Sequence, residues 1–149
     1  MAVGQVMQSL REFVEPQLRE KGLSFKMADD LPEAEACADP DKVRQVLINL
    51  LSNAIKFTPE KGTIELQCHD DDKTLYICFT DTGSGIPADK LEAIFEPFVQ
   101  VNRDYASKHE GTGLGLSISR DLARRMGGDL TVKSELGKGS EFVLSLLKA

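Results

Sequence analysis

No stretch of this 149-residue chain approaches the ~20 consecutive apolar residues that a bilayer-spanning helix needs. No secretory signal is legible either, so no direct membrane contact by this domain is expected. Positive charge is scarce. Eighteen Lys and Arg face 24 Asp and Glu, a net charge of -6, which argues against nucleic acid as a partner. The three cysteines, Cys37, Cys68 and Cys78, form no CxxC and no Cys/His spacing of the metal-binding kind. They are expected to be reduced, small hydrophobic fillers in a cytoplasmic setting. There is no GxxxxGK[ST] phosphate loop and no HRD or DFG. Nothing repeats and no segment is of low complexity.

What remains is an ordinary globular composition, 41% hydrophobic and 28% charged, in a length that suits one compact domain. Val6, Leu10, Phe13, Val14 and Leu18 have helical spacing over residues 5–20, with Pro16 expected to bend or interrupt that helix. "GLSFKMA" (22–28) alternates like a strand. A loop with at most one short strand follows it. The strongest helix is "DPDKVRQVLINLLSNAIKF", with Asp39 as N-cap, Pro40 in the first helical position and "TPEKG" as its stop. "TIELQCHDDDKTLYICFTD" reads as a hairpin. A turn centred on Asp71-Asp72 sets Leu66 opposite Ile77 and Cys68 opposite Leu75. Cys68 then points with Ile64, Leu66, Ile77 and Phe79, and Cys78 points away. Residues 88–95 are expected to form a short helix and residues 99–112 a mobile loop. A helix follows with an apolar stripe at Leu114, Ile118, Leu122 and Met126, closed by Gly127-Gly128. "DLTVKSELGKGSEFVLSLL" is a second hairpin. The fold class is therefore α+β: a two-layer sandwich with a mixed, mostly antiparallel sheet covered on one face by about three helices.

"FTDTGSGIP" (79–87) poses the functional question. An Asp-Thr-Gly at a strand end suits the acid/base carboxylate of an aspartic protease. It equally suits a carboxylate that reads the amine of a nucleobase. The helix over 41–57 bears on the choice. At 100° per residue, Asn49, Asn53 and Lys56 fall within an arc of roughly 60°. Val43, Val46, Leu47, Leu50, Leu51 and Ala54 centre on another face. A stripe of two amides and one ammonium is either a solvated surface or a polar site.

Four segments in order settle which. "NLLSNAIKFT", "DTGSGI", "FEPF" (95–98) and "GTGLGL" resemble the asparagine box, first glycine box, phenylalanine box and second glycine box of a known domain. That domain is the ATP-binding catalytic domain of sensor histidine kinases in two-component signalling. It belongs to the superfamily of gyrase, chaperone, histidine kinase and MutL type ATPases. The resemblance covers residues ~20 to 147 and implies a Bergerat-type fold with a mobile ATP lid over 99–110. A chain with three core helices is also no aspartic protease, whose paired aspartates sit in an all-β frame.

The resemblance implies two cofactors, ATP and Mg²⁺, and a role for each residue. Asp81 accepts a hydrogen bond from the adenine amine, where guanine would present a carbonyl. Gly83, Gly85 and Ile86 form the turn beside the base. Asn53 ligates Mg²⁺, Asn49 supports it, and Lys56 places a point charge on the phosphates. Phe57 packs either near the nucleotide or in the core. Gly111, Thr112, Gly113, Leu114, Gly115 and Leu116 open a helix whose free N–H groups suit phosphate oxygens. Arg103, Lys108 and His109 are candidate phosphate contacts from the lid. Phe95 and Phe98 are either its hydrophobic latch or core.

In gyrase-, chaperone- and MutL-type ATPases a glutamate base stands where this chain has Asn49, and an amide cannot accept that proton. The histidine kinase family carries its phospho-acceptor on a separate helical dimerisation domain. Neither His69 nor His109 has the acceptor's sequence context. The expected division is an N-terminal helix over 1–20, a linker from that domain, and the catalytic domain over 21–149. A receiver domain of a response regulator is an indirect partner. The expected setting is cytoplasmic, free or as the cytoplasmic part of a membrane-anchored sensor. Two other functions stay open on sequence: a nucleotide-gated interaction domain without transfer activity, and a serine-directed kinase of the anti-sigma type.

Overall fold

A computed structural model describes residues 1–27, 32–96 and 115–149. Five strands form one sheet in the order β1-β2-β3-β5-β4. They are β1 (Ser24–Met27), β2 (Thr63–Asp70), β3 (Thr74–Asp81), β4 (Asp129–Glu135) and β5 (Gly139–Leu147). β1 runs parallel to β2, and the other neighbours are antiparallel. Among the described residues three α-helices pack into the same core: α1 (Val3–Lys21), α2 (Pro40–Phe57) and α3 (Gly115–Arg125). None is long and apolar enough to cross a membrane. Ile64, Leu66, Leu75, Ile77, Phe79, Leu130, Leu144 and Leu146 supply the sheet's side of the core, which makes a two-layer sandwich.

α2 forms as its sequence dictates. The Asp39 side chain accepts from the Asp41 N–H at 2.9 Å, and Pro40 stands where no N–H is needed. Its buried face is Val43, Val46, Leu47, Leu50, Leu51, Ala54 and Ile55. Each Val, Leu or Ile among them contributes about 1.5–3 kcal/mol relative to exposure. Lys21, at the end of α1, donates to the Ile55 and Lys56 carbonyls. It thereby caps the end of α2 that carries Lys56.

Six local expectations give way. α1 runs through Pro16 without a break, because Pro16 and Glu12, whose carbonyl loses its partner, both lie on the exposed side where water can replace the bond. Phe13 is 45% exposed and lies under the Arg44 guanidinium, 5.6 Å from its ring centre. The β2–β3 register differs by two residues: Cys68 faces Ile77 and Leu66 faces Phe79. The cause is Asp71, whose carboxylate accepts from the Lys73 and Thr74 N–H groups and moves the turn to Asp72-Lys73. A shift of two preserves the faces, so Cys68 is still inward and Cys78 outward. Residues 88–95 hold two 3₁₀ turns, Ala88–Lys90 and Ala93–Phe95, rather than one helix. The stripe on α3 holds only in part: Leu122 and Met126 pack against the core, but Ile118 is 42% exposed, while Ser119 and Ala123 are buried. Small side chains let α3 lie close to its neighbours, and at 100° per residue Ile118 falls at the edge of that face. Cys37 is exposed rather than a filler. The loop before α2 makes two isolated bridges, Ala2 with Glu35 and Ala36 with Lys148.

Burial pushes the Cys68 thiol up to about 12 and raises that of Cys78. Both are free and stay protonated near neutral pH.

Candidate functional site

Asp81 is the last residue of β3. Its Oδ1 accepts from the Gly83 N–H at 2.8 Å, and the Ser140 N–H also bonds the carboxylate. Burial raises its pKa above the ordinary carboxylate value, and those two N–H groups pull the other way without reversing it. The result is a half-buried acceptor whose orientation the backbone sets.

The turn after it is tight against protein on both sides. A Cβ on Gly83 would stand 2.7 Å from the carbonyl oxygen of Phe57, so the turn meets the end of α2 there. Gly85 has φ +74 and lies against the Glu135 carbonyl, where a Cβ would overlap it. Both facts demand glycine. Gly85→Ala is expected to cost about 2 kcal/mol or more in chemical denaturation. A cost under about 0.5 kcal/mol would show that the turn and the β4–β5 hairpin separate freely. Ile86 is buried, and its N–H donates to the Ser134 hydroxyl at 2.7 Å.

On α2, Asn49, Asn53 and Lys56 are each partly exposed. The Asn49 Nδ2 donates to the Ser119 hydroxyl of α3 at 3.1 Å. Lys56 Nζ lies 5.5 Å from the centre of the Phe57 ring. Phe57 is 38% exposed, which removes the core alternative for it. Gly115 and Leu116 lie in the first turn of α3. Phe95 is buried, with the Arg120 guanidinium stacked 4.2 Å from its ring centre. Arg120 also pairs with Glu92 at 3.2 Å and lies 3.7 Å from Asp129. Phe98, Arg103, Lys108, His109, Gly111, Thr112, Gly113 and Leu114 lie outside the described residues.

Three contributors escaped sequence reasoning: Ser119, Arg120 and Ser134. Ser119 carries a signal in retrospect, a hydroxyl beside the expected apolar stripe of α3. Arg120 carries none, since a basic residue there reads as solvated surface.

The structure thus joins the end of α2, the β3 turn, the β4–β5 hairpin and α3 around one region, and known proteins share that arrangement. Residues 38–149 match the family described as histidine kinase-, DNA gyrase B-, and HSP90-like ATPase. The aerobic respiration control sensor protein ArcB of Escherichia coli (strain K12) is 43% identical over 133 residues, covering 87% of this chain. The chain spans 17% of that sensor's length. The nucleotide-free catalytic domain of histidine kinase ThkA superposes with a TM-score of 0.86 at 28% identity, covering 99% of this chain and 95% of that one. Full-length ShkA in complex with AMPPNP gives 0.87 at 34% identity, covering 100% of this chain and 30% of that one. The chain belongs to the histidine kinase-, DNA gyrase B- and HSP90-like ATPase family, and within it this is an ATP-binding catalytic domain of the sensor histidine kinase kind.

Proposed function

We propose that this domain holds Mg-ATP and donates the γ-phosphoryl group to a histidine on a separate helical dimerisation domain, in two-component signal transduction. The observation that carries the choice of transfer over hydrolysis is position 49. An amide stands there, hydrogen-bonded to Ser119, where the hydrolysing members of the superfamily place a glutamate base. The donor set also fits Mg²⁺ held mainly by nucleotide. Among the described residues no three carboxylate, histidine or cysteine side chains gather as a metal cage, while the α2 stripe offers amide oxygens. When bound, the ion would neutralise phosphate charge. Asn53 would hold it through Oδ1, with Asn49 beside it and Lys56 on the phosphates. Asp81 would fix the base, and Phe57 and Phe95 would flank the site. The helix over 1–20 would link to the dimerisation domain, and a receiver domain would take the phosphoryl group next. The setting would be cytoplasmic.

Asn53→Ala should lower ATP affinity about tenfold in the presence of Mg²⁺ and leave the metal-free affinity nearly unchanged. Calorimetry with and without Mg²⁺ reads both values. Equal losses in the two conditions would remove Asn53 from the metal.

A further inference from the structure

We infer that Ser134 is a positioning residue for base selection, holding the turn from Asp81 to Ile86 at the level where Asp81 meets a nucleobase. The inference rests on the proposed reading of Asp81 as the adenine acceptor. Ser134 occupies a core-facing position: along β4 it follows Leu130 and Val132 at the strand's two-residue period. A hydroxyl replaces the apolar side chain at that place, opposite Ser140 on β5.

Its oxygen is fully committed. It accepts from the Ile86 N–H at 2.7 Å and lies 2.9 Å from the Gly139 carbonyl and 2.8 Å from the Ser140 hydroxyl. A hydroxyl has one proton and two lone pairs. One assignment uses all three: Ser134 donates to the Gly139 carbonyl and accepts from Ile86 and from Ser140. The side chain therefore ties both ends of the β4–β5 turn to the far end of the glycine turn. A second tie, from the Gly137 N–H to the Ser84 carbonyl at 2.8 Å, closes the same contact. At the near end, the N–H groups of Gly83 and Ser140 hold the Asp81 carboxylate. Ser140 belongs to both sets. A shift of the hairpin thus moves the carboxylate and the backbone beside it together. Discrimination between an amine and a carbonyl depends on that registry, because only an aligned carboxylate accepts well from the amine, while a carbonyl offers it no proton.

Competition binding on the whole chain tests this, with ATP and GTP as ligands and Asp81→Asn, Ser134→Ala, Ser134→Thr and Ser134→Cys as variants. The unaltered protein should prefer ATP. Ser134→Ala should reduce that preference about fivefold or more, and Ser134→Thr should keep it. Ser134→Cys, a weaker acceptor, should fall between them. The Ile86 amide should exchange faster with solvent in Ser134→Ala while amides of the β4–β5 ladder stay protected. A purely structural serine would change the melting temperature and leave the ATP-to-GTP ratio alone, and that result overturns the proposal. If the alanine variant does not fold, a cysteine variant with the original ratio overturns it equally. An unaltered protein without ATP preference, or one whose preference survives Asp81→Asn, overturns the reading of Asp81 and the proposal with it.

Discussion

Asp81→Asn is expected to weaken ATP binding by at least about tenfold, since a mismatch of 1.4 kcal/mol suffices for that factor. Asparagine keeps the shape. Its Oδ1 can still accept from the Gly83 N–H, as the carboxylate does at 2.8 Å. The other arm then becomes an NH₂ group, which would meet the adenine amine donor to donor. Leaving such a pair unmatched in a half-buried site costs on the order of 1–3 kcal/mol. Titration with a fluorescent ATP analogue reads the change. Unaltered affinity in a folded variant would exclude Asp81 from base recognition.

The same substitution should have the opposite effect on stability without nucleotide. Burial raises the folded-state pKa of Asp81 above its unfolded value. The contribution of such a group is fully present below the unfolded pKa and is lost as pH rises through the folded one. At neutral pH the buried charge is therefore a cost, and Asp81→Asn removes it. Nucleotide-free Asp81→Asn should melt above the unaltered protein at neutral pH, and the gap should close as pH falls through the carboxylate range. A gap independent of pH would mean that the ionised carboxylate is not the source.

The second large effect concerns the phosphoryl group. The chain alone should bind Mg-ATP, hydrolyse it very slowly and fail to label itself. Addition of a cognate helical dimerisation domain should produce acid-labile phosphohistidine on that domain. Catalysis of this transfer is mainly alignment and charge neutralisation, so without an aligned nucleophile bound ATP has no outlet. Position 49 offers no base, its amide being tied to Ser119. His69 sits on β2, stacked on Tyr76 at 5.0 Å between ring centres, with its Nδ1 4.0 Å from the Cys78 sulfur. The yield in trans should be modest, because a tether normally supplies effective concentration. Radiolabelled ATP with the chain, the partner and their mixture decides the matter. Strong labelling of His69 or His109 in the isolated chain would defeat it.

Much of the fold was legible from local rules. α2 follows from Asp39, Pro40 and a clean apolar face. The two hairpins follow from alternation, because a strand half covered by helices must repeat at two. Where expectation and structure differ, a polar or small side chain intervened. Asp71 captured two backbone N–H groups and moved the turn. Ser119 and Ala123 took the inward face of α3 that Ile118 was expected to share. Pattern reading weights apolar residues and cannot see a hydroxyl that is buried because a partner on another element satisfies it.

The sequence by itself determined the α+β class, the family and the chemical character of the site: an acceptor at a strand end, amides and an ammonium along one helix, and glycines at the turn. These are local facts, set by residue type and spacing within one element. Only the tertiary structure decided what holds them. Gly85 is indispensable because of Glu135, fifty positions on, and Phe95 is capped by Arg120 from α3. Ser134 matters because it lies under Ile86. Contacts between distant elements depend on how whole layers pack, and no spacing along the chain encodes them.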